Sequence, residues 1–149
     1  MQSRIQKIIE SASGKYFGNE GAGALFYSRS NKTILWAKRA TKGMKEPNTW
    51  TAVFGGRVEK GESPKTAVIR EIGEELKFNK KFTMTPSPVF IYKDDVEEFK
   101  YSTFQITVDH EFEPVLNWEH SKFMWLPLGQ YPKEKIHFGT TALIRANII

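Results

Sequence analysis

The sequence predicts a mixed α+β sandwich, and three observations carry that prediction. Short runs rich in β-branched and aromatic residues occupy both halves of the chain. A strongly signalled helix starts at Ser63-Pro64. A second helical pattern closes the sequence after a further set of strands, an order that packs helices against a sheet.

Each element has its own signal. A short amphipathic helix is expected near Ile5–Ser11. Gly23–Tyr27 and Thr33–Ala37 read as strands joined by the polar turn Ser28-Arg29-Ser30-Asn31-Lys32. The basic stretch from Lys38 to Asn48 reads as an irregular surface loop. Trp50–Phe54 is a strand that runs into Gly55-Gly56. At Ser63-Pro64 a capping hydroxyl precedes a proline suited to the first helical position. That helix is expected to reach Leu76 or Lys77, with Asn79 available to turn the chain. Val89–Tyr92 and Tyr101–Val108 read as strands paired across the acidic turn Asp94-Asp95. Lys122–Leu126 is another strand, and about Thr140–Asn147 the closing helix.

The 149 residues suit one domain spanning the chain, 1–149. At 40% hydrophobic and 26% charged, collagen-like, low-complexity and wholly disordered readings are excluded. Cysteine is absent, which removes disulfides, thiolate catalysis and cysteine-ligated zinc. Twenty-two Lys and Arg against seventeen Asp and Glu leave a net charge of +5. Such a surface attracts polyanions, though solubility alone also accounts for it. The N-terminus lacks the apolar core of a signal peptide, and no run approaches a membrane span, so a cytoplasmic protein without membrane partners is expected.

The chemically informative segment runs from Gly55 to Phe78. With Arg70 at zero on a helical wheel, Glu71, Glu74 and Glu75 fall near about 100°, 40° and 140°. Val68, Ile69, Ile72 and Leu76 take the neighbouring arc, roughly 160–260°. One side of the helix can therefore pack on a sheet while the adjoining side presents acid. Like charges about 4 Å apart repel by about 4 kcal/mol at an effective dielectric of 20. Arg70, one turn from Glu74, offsets part of this, and a divalent cation offsets more. Oxygen-only ligands favour Mg²⁺ or Mn²⁺ over zinc. Taken alone, the pattern also fits a solvated acidic face. Gly55 and Gly56 add a strand-to-helix turn where backbone groups can approach phosphate or metal. Glu62 stands just before the helix, suited to capping or to a direct chemical role.

This segment resembles the signature of the Nudix hydrolase family: Gly, five residues, Glu, seven residues, Arg-Glu, an apolar residue, any residue, Glu-Glu, any residue, Gly, an apolar residue. Gly56, Glu62, Arg70, Glu71, Ile72, Glu74, Glu75 and Phe78 fill their positions. Lys77 stands where the signature has its last Gly, and Phe54 where typical members carry Pro. The resemblance implies a Nudix-like α/β/α sandwich with a mixed β-sheet. It also implies Mg²⁺-dependent hydrolysis of a diphosphate linkage, with Mn²⁺ as substitute. Glu71, Glu74 and Glu75 would bind metal, helped by the Gly56 carbonyl, and Arg70 would orient the carboxylates.

The general base varies within the family. Glu74 is one candidate, and Glu119, just before the strand that ends at Trp125-Leu126-Pro127, is another. Glu97 and Glu98, near a hairpin tip, are weaker. His110, His120 and His137 lack metal-ligand spacing and read as structural or surface residues. For substrate binding the candidates are Arg39, Arg57 and Gly55, with Lys38, Lys42 and Lys45 available to steer anions. Trp36, Trp50, Trp118, Phe104 and Tyr16 are aromatic candidates for stacking on a base, although strand aromatics usually serve the core.

The expected substrate is a nucleoside diphosphate derivative of the ADP-ribose or dinucleoside polyphosphate type. Alternatives left open are a nucleoside triphosphate, an RNA 5′ end or cap, and a non-catalytic nucleotide-binding module. The partner is thus a nucleotide-derived small molecule, with RNA less favoured, and the protein a monomer or homodimer.

Overall fold

The computed structural model describes residues 19–43, 46–96 and 98–149. The expectations for Ile5–Ser11, Tyr16, Lys45 and Glu97 lie outside these residues. The elements are β1 (Glu20–Ser28), β2 (Thr33–Arg39), β3 (Trp50–Thr51), β4 (Phe54–Arg57), α1 (Pro64–Leu76), β5 (Thr83–Met84), β6 (Phe90–Asp94), β7 (Phe99–Val108), β8 (His120–Pro127) and α2 (Phe138–Arg145).

Among the described residues, eight strands join one mixed sheet. β1 and β7 run parallel from Glu20↔Lys100 to Ser28↔Val108, while the other pairings are antiparallel. Along its other edge β1 is shared: its first half pairs with β4 and its end with β2. Strand alternation sorts β1 into two faces. Ala22, Ala24 and Phe26 pack with Val68, Ile72 and Leu76 of α1. Leu25 packs with Ile34, Trp36 and Leu143 of α2. The two helices thus cover opposite faces of an α+β sandwich. Among the described residues no helix is long and apolar enough to cross a membrane.

The α1 start follows its sequence signal, with the Ser63 hydroxyl accepting from the Thr66 amide at 3.2 Å and Pro64 opening the helix. Its end differs from expectation. Lys77 itself adopts the left-handed conformation (φ 49°, ψ 40°) and donates its amide to the Gly73 carbonyl, so Asn79 is not needed for the turn. A non-glycine residue thus ends the helix in the conformation that glycine favours. Ile69, expected on the buried arc, is 47% exposed, because the sheet covers a narrower stripe through Val68, Ile72 and Leu76.

Two further differences bear on the site. The expected Trp50–Phe54 strand divides into β3, which pairs with β2, and β4, which pairs with β1. The Thr51 hydroxyl accepts from the Val53 amide at 3.1 Å, drawing the backbone into a bend between the two. Lys38 and Arg39 belong to β2 instead of the surface loop. Arg39 pairs in register with His120 of β8 and is only 3% exposed. A basic residue counted as loop by composition is therefore carried inward by a strand that continues past its apolar run.

Candidate active site

The site is built where β4, α1 and the start of β8 converge. Gly56 lies in β4 against α1: a Cβ there would stand 2.6 Å from Glu71 Oε1. Only glycine lets the carboxylate rest on the strand backbone. Gly55 lies beside it, close against the Ala22 backbone of β1.

Arg70 organises the helix side. Its Nε and Nη2 donate to the two oxygens of Glu62 at 2.9 and 3.1 Å, and its Nη1 donates to Glu71 Oε1 at 2.9 Å. Nη2 also reaches the Arg57 carbonyl at 3.1 Å, and Glu74 Oε1 lies 3.7 Å from Nη1. A planar guanidinium is suited to this several-way grip. The Arg70 bonds hold the Glu62 carboxyl below its ordinary range, and the Glu62 bond raises Arg70 further above its own. The cap of α1 belongs to Ser63, so Glu62 serves the arginine.

Beyond this pair, three carboxyl groups gather inside the protein. Glu71 and Glu75 of α1 and Glu119 ahead of β8 are all buried, Glu75 to 2% exposure. Burial pushes Glu71 up against the downward pull of Arg70. Burial, then the charges of Glu119 and Glu71, push Glu75 well above the ordinary carboxyl range. Glu119 rises to about 7 through burial and the Glu71 charge, moderated by Asn117 and Arg39. Glu119 is held by its backbone: its amide donates to Asn117 Oδ1 at 2.9 Å and its carbonyl accepts from the Ala40 amide at 2.9 Å. Asn117 Nδ2 in turn donates to the Glu74 carbonyl at 3.4 Å, tying this loop to α1. Glu74 differs from its neighbours, with a side chain 60% exposed.

The cluster suits a hard cation in donor type. Glu75 Oε2 is buried without a hydrogen-bond partner among the described residues, an acceptor that a divalent ion would satisfy. Among the described residues, however, no three acidic or imidazole groups converge on one coordination point. The donors are gathered, not yet arranged.

A cavity of about 60 Å³ opens beside the cluster. Its polar lining includes Arg39, Glu75, Glu119 and His120. Phe90, Tyr92 and Tyr101 supply aromatic surface. Burial and the charge of Arg39 push His120 down to about 4, leaving a neutral imidazole. Gly55 and Gly56 border the cavity, but Arg57 does not; its guanidinium lies 3.5 Å from Glu59. Trp36, Trp50 and Phe104 are core residues. Trp118 is exposed outside the cavity lining. Lys38 pairs with Glu134 at 2.8 Å. His110 meets Ser30 at the surface, and His137 caps α2 while bordering the cavity. The aromatic lining was not singled out from sequence. Alternation places Phe90 and Tyr92 on one face of β6 and Tyr101 and Thr103 on one face of β7, but it does not say which face meets the acids.

Residues 19–146 match the family model described as NUDIX domain. The chain belongs to the Nudix hydrolase family. It is accordingly a pyrophosphohydrolase of the kind that acts on nucleotide-type substrates. A curated relative, the dihydroneopterin triphosphate diphosphatase of Haemophilus influenzae, is 28% identical over 126 residues, covering 75% of this chain and 76% of the relative. Among solved structures, the MutT NUDIX hydrolase of Burkholderia pseudomallei superposes with a TM-score of 0.60 at 25% identity, covering 87% of this chain and 97% of that one. The Nudix hydrolase RenU of M. smegmatis superposes with a TM-score of 0.71 at 19% identity, covering 88% and 84% of the two chains, a likeness of fold. This Nudix hydrolase therefore combines the family fold with a Lys77 helix end and an aromatic cavity wall.

Proposed function

We propose that this Nudix hydrolase cleaves the diphosphate linkage of a nucleoside diphosphate derivative, of the ADP-ribose or dinucleoside polyphosphate type, with Mg²⁺ or Mn²⁺. The observation that carries this reading is the buried trio Glu71, Glu75 and Glu119 beside a cavity with aromatic walls. Acid at one part of the lining and flat apolar surface at another match a substrate with a phosphate chain and a heteroaromatic ring.

Glu71, Glu74 and Glu75, with the Gly56 carbonyl, would hold the divalent ion. Bound there, it would neutralise phosphate oxygens and make water a better nucleophile. The protein's own groups do the rest. Arg70 keeps Glu71 oriented through its grip on Glu62. Glu119, buried beside Glu75 in the cavity lining, would be the carboxylate that takes a proton from the attacking water. Glu74, nearer the surface, is the second candidate for that role. Arg39 supplies positive charge in the cavity wall, where an anionic chain would otherwise meet only carboxylates. Gly55 leaves room for the phosphates to approach the strand, and Arg57 steers them from outside.

A second reading, a triphosphate split into monophosphate and pyrophosphate, is favoured by the name of the Haemophilus influenzae relative, a triphosphate diphosphatase. One experiment separates the two. The protein is incubated with Mg²⁺ and ADP-ribose, dinucleoside polyphosphates, nucleoside triphosphates, dihydroneopterin triphosphate and capped RNA, and the products are identified. AMP with ribose 5-phosphate from ADP-ribose supports the first reading; pyrophosphate release from a triphosphate supports the second. Hydrolysis of none contradicts both and leaves a binding module.

A further inference from the structure

Tyr101 lies outside the signature, yet it borders the cavity that Glu75 and Glu119 line. It sits on β7 directly across from Tyr92 of β6, and both border the cavity. The ring joins Tyr92 and Phe138 around buried Phe99. The hydroxyl reaches beyond this cluster and lies over Gly23 of β1. A Cβ at position 23 would collide with the phenolic oxygen and come within 2.7 Å of Val53 Cγ1. Gly23 pairs across the sheet with Gly55. The absence of a side chain at position 23 thus sets the hydroxyl beside the strand on which Glu71 rests.

The surroundings decide what the hydroxyl can do. A tyrosine hydroxyl is neutral near pH 7 and donates through its O–H. A carboxylate cannot approach a phosphate oxygen without repulsion, whereas a phenol can donate to one. The cavity needs such donors beside Arg39 if it is to seat an anionic chain next to buried acid.

We propose that Tyr101 is a substrate-contacting residue whose hydroxyl donates a hydrogen bond to an oxygen of the diphosphate held between Glu75 and the aromatic wall. The contact rests on the cavity being the substrate site, as in the proposed function.

The test uses the whole protein with Mg²⁺ and α,β-methylene-ADP, titrated calorimetrically into wild type and Tyr101→Phe. Thermal melts and ADP-ribose cleavage are measured alongside. Tyr101→Phe keeps the ring packing and should melt like wild type, while its affinity for the analogue falls about tenfold or more, the scale of a hydrogen bond to a charged group. Gly23→Ala should displace the hydroxyl and weaken binding too, and should cost less when added to Tyr101→Phe than it does in wild type. Equal affinity of wild type and Tyr101→Phe overturns the contact and leaves the proposed function standing. No analogue binding by wild type, together with no hydrolysis of any substrate in the panel above, overturns both.

Discussion

The carboxyl groups of Glu75 and Glu119 lie against each other inside the protein, one from α1 and the other from the loop that leads into β8. Burial and nearby carboxylate charge raise both above the ordinary carboxyl range, so the pair holds protons more readily than free carboxyls do. That single relationship links the stability of the protein to its chemistry.

Glu75→Gln should reduce turnover by about 10²–10⁴, the scale seen when a positioned catalytic group is lost. In chelator the same variant should melt at or above the wild-type temperature, because one like-charge interaction is gone. Steady-state kinetics with differential scanning calorimetry checks both halves. A variant that is inactive and less stable without metal would mean that the Glu75 carboxylate has a structural partner.

Metal-free protein should lose stability as pH rises. Glu119 holds its proton to about 7 when folded but only to the ordinary 4.5 when unfolded, and Glu75 is shifted the same way. The folded state therefore binds more protons across that window, so stability is greatest below it and declines as pH climbs through about 7. His120 acts in the opposite sense, since its shift from 6.5 down to about 4 costs stability only as pH falls below about 6.5. Between pH 6.5 and 8 the carboxyls act without it. Melting temperatures in EDTA should fall over that range in wild type and stay flatter in Glu119→Gln. A rise in wild type would contradict the burial of these acids.

Arg70→Lys should cost about 1–3 kcal/mol of stability and lower activity, because an ammonium cannot span Glu62, Glu71 and the Arg57 carbonyl together. Urea unfolding gives the stability, and initial rates give the activity. Retention of both would show that the fork geometry is dispensable.

Lys77→Gly should stabilise the protein by about 0.5–1 kcal/mol without changing the rate, since Lys77 holds φ at 49° where glycine is unstrained. Chemical denaturation measures the first and a standard assay the second.

These residues also show where the sequence was legible. Ser63-Pro64 and the spacing from Gly56 to Phe78 declared α1 and its carboxylates, because capping, helical periodicity and glycine contact are local. Glu119 was reachable through the family resemblance. What stayed hidden depends on distant pairing. Arg39 reads as loop by composition, yet its amide and carbonyl bond Thr49 and Asn48 while it pairs with His120 of β8 on the other side. The bend that separates β3 from β4 follows from their having different partners. The place of Tyr101 at the site depends on Gly23 and on which face of β7 meets the acids.

The proposed hydrolysis requires Glu71, Glu74 and Glu75 to hold a divalent cation where the phosphate chain is cut. Titration of Mn²⁺ followed by electron paramagnetic resonance tests it most directly, in wild type and in Glu75→Gln at the same pH. Wild type should remove Mn²⁺ from the free signal saturably, and Glu75→Gln should bind it at least about tenfold more weakly, with Mg²⁺ competing in wild type. Indistinguishable binding curves for the two proteins would contradict the account.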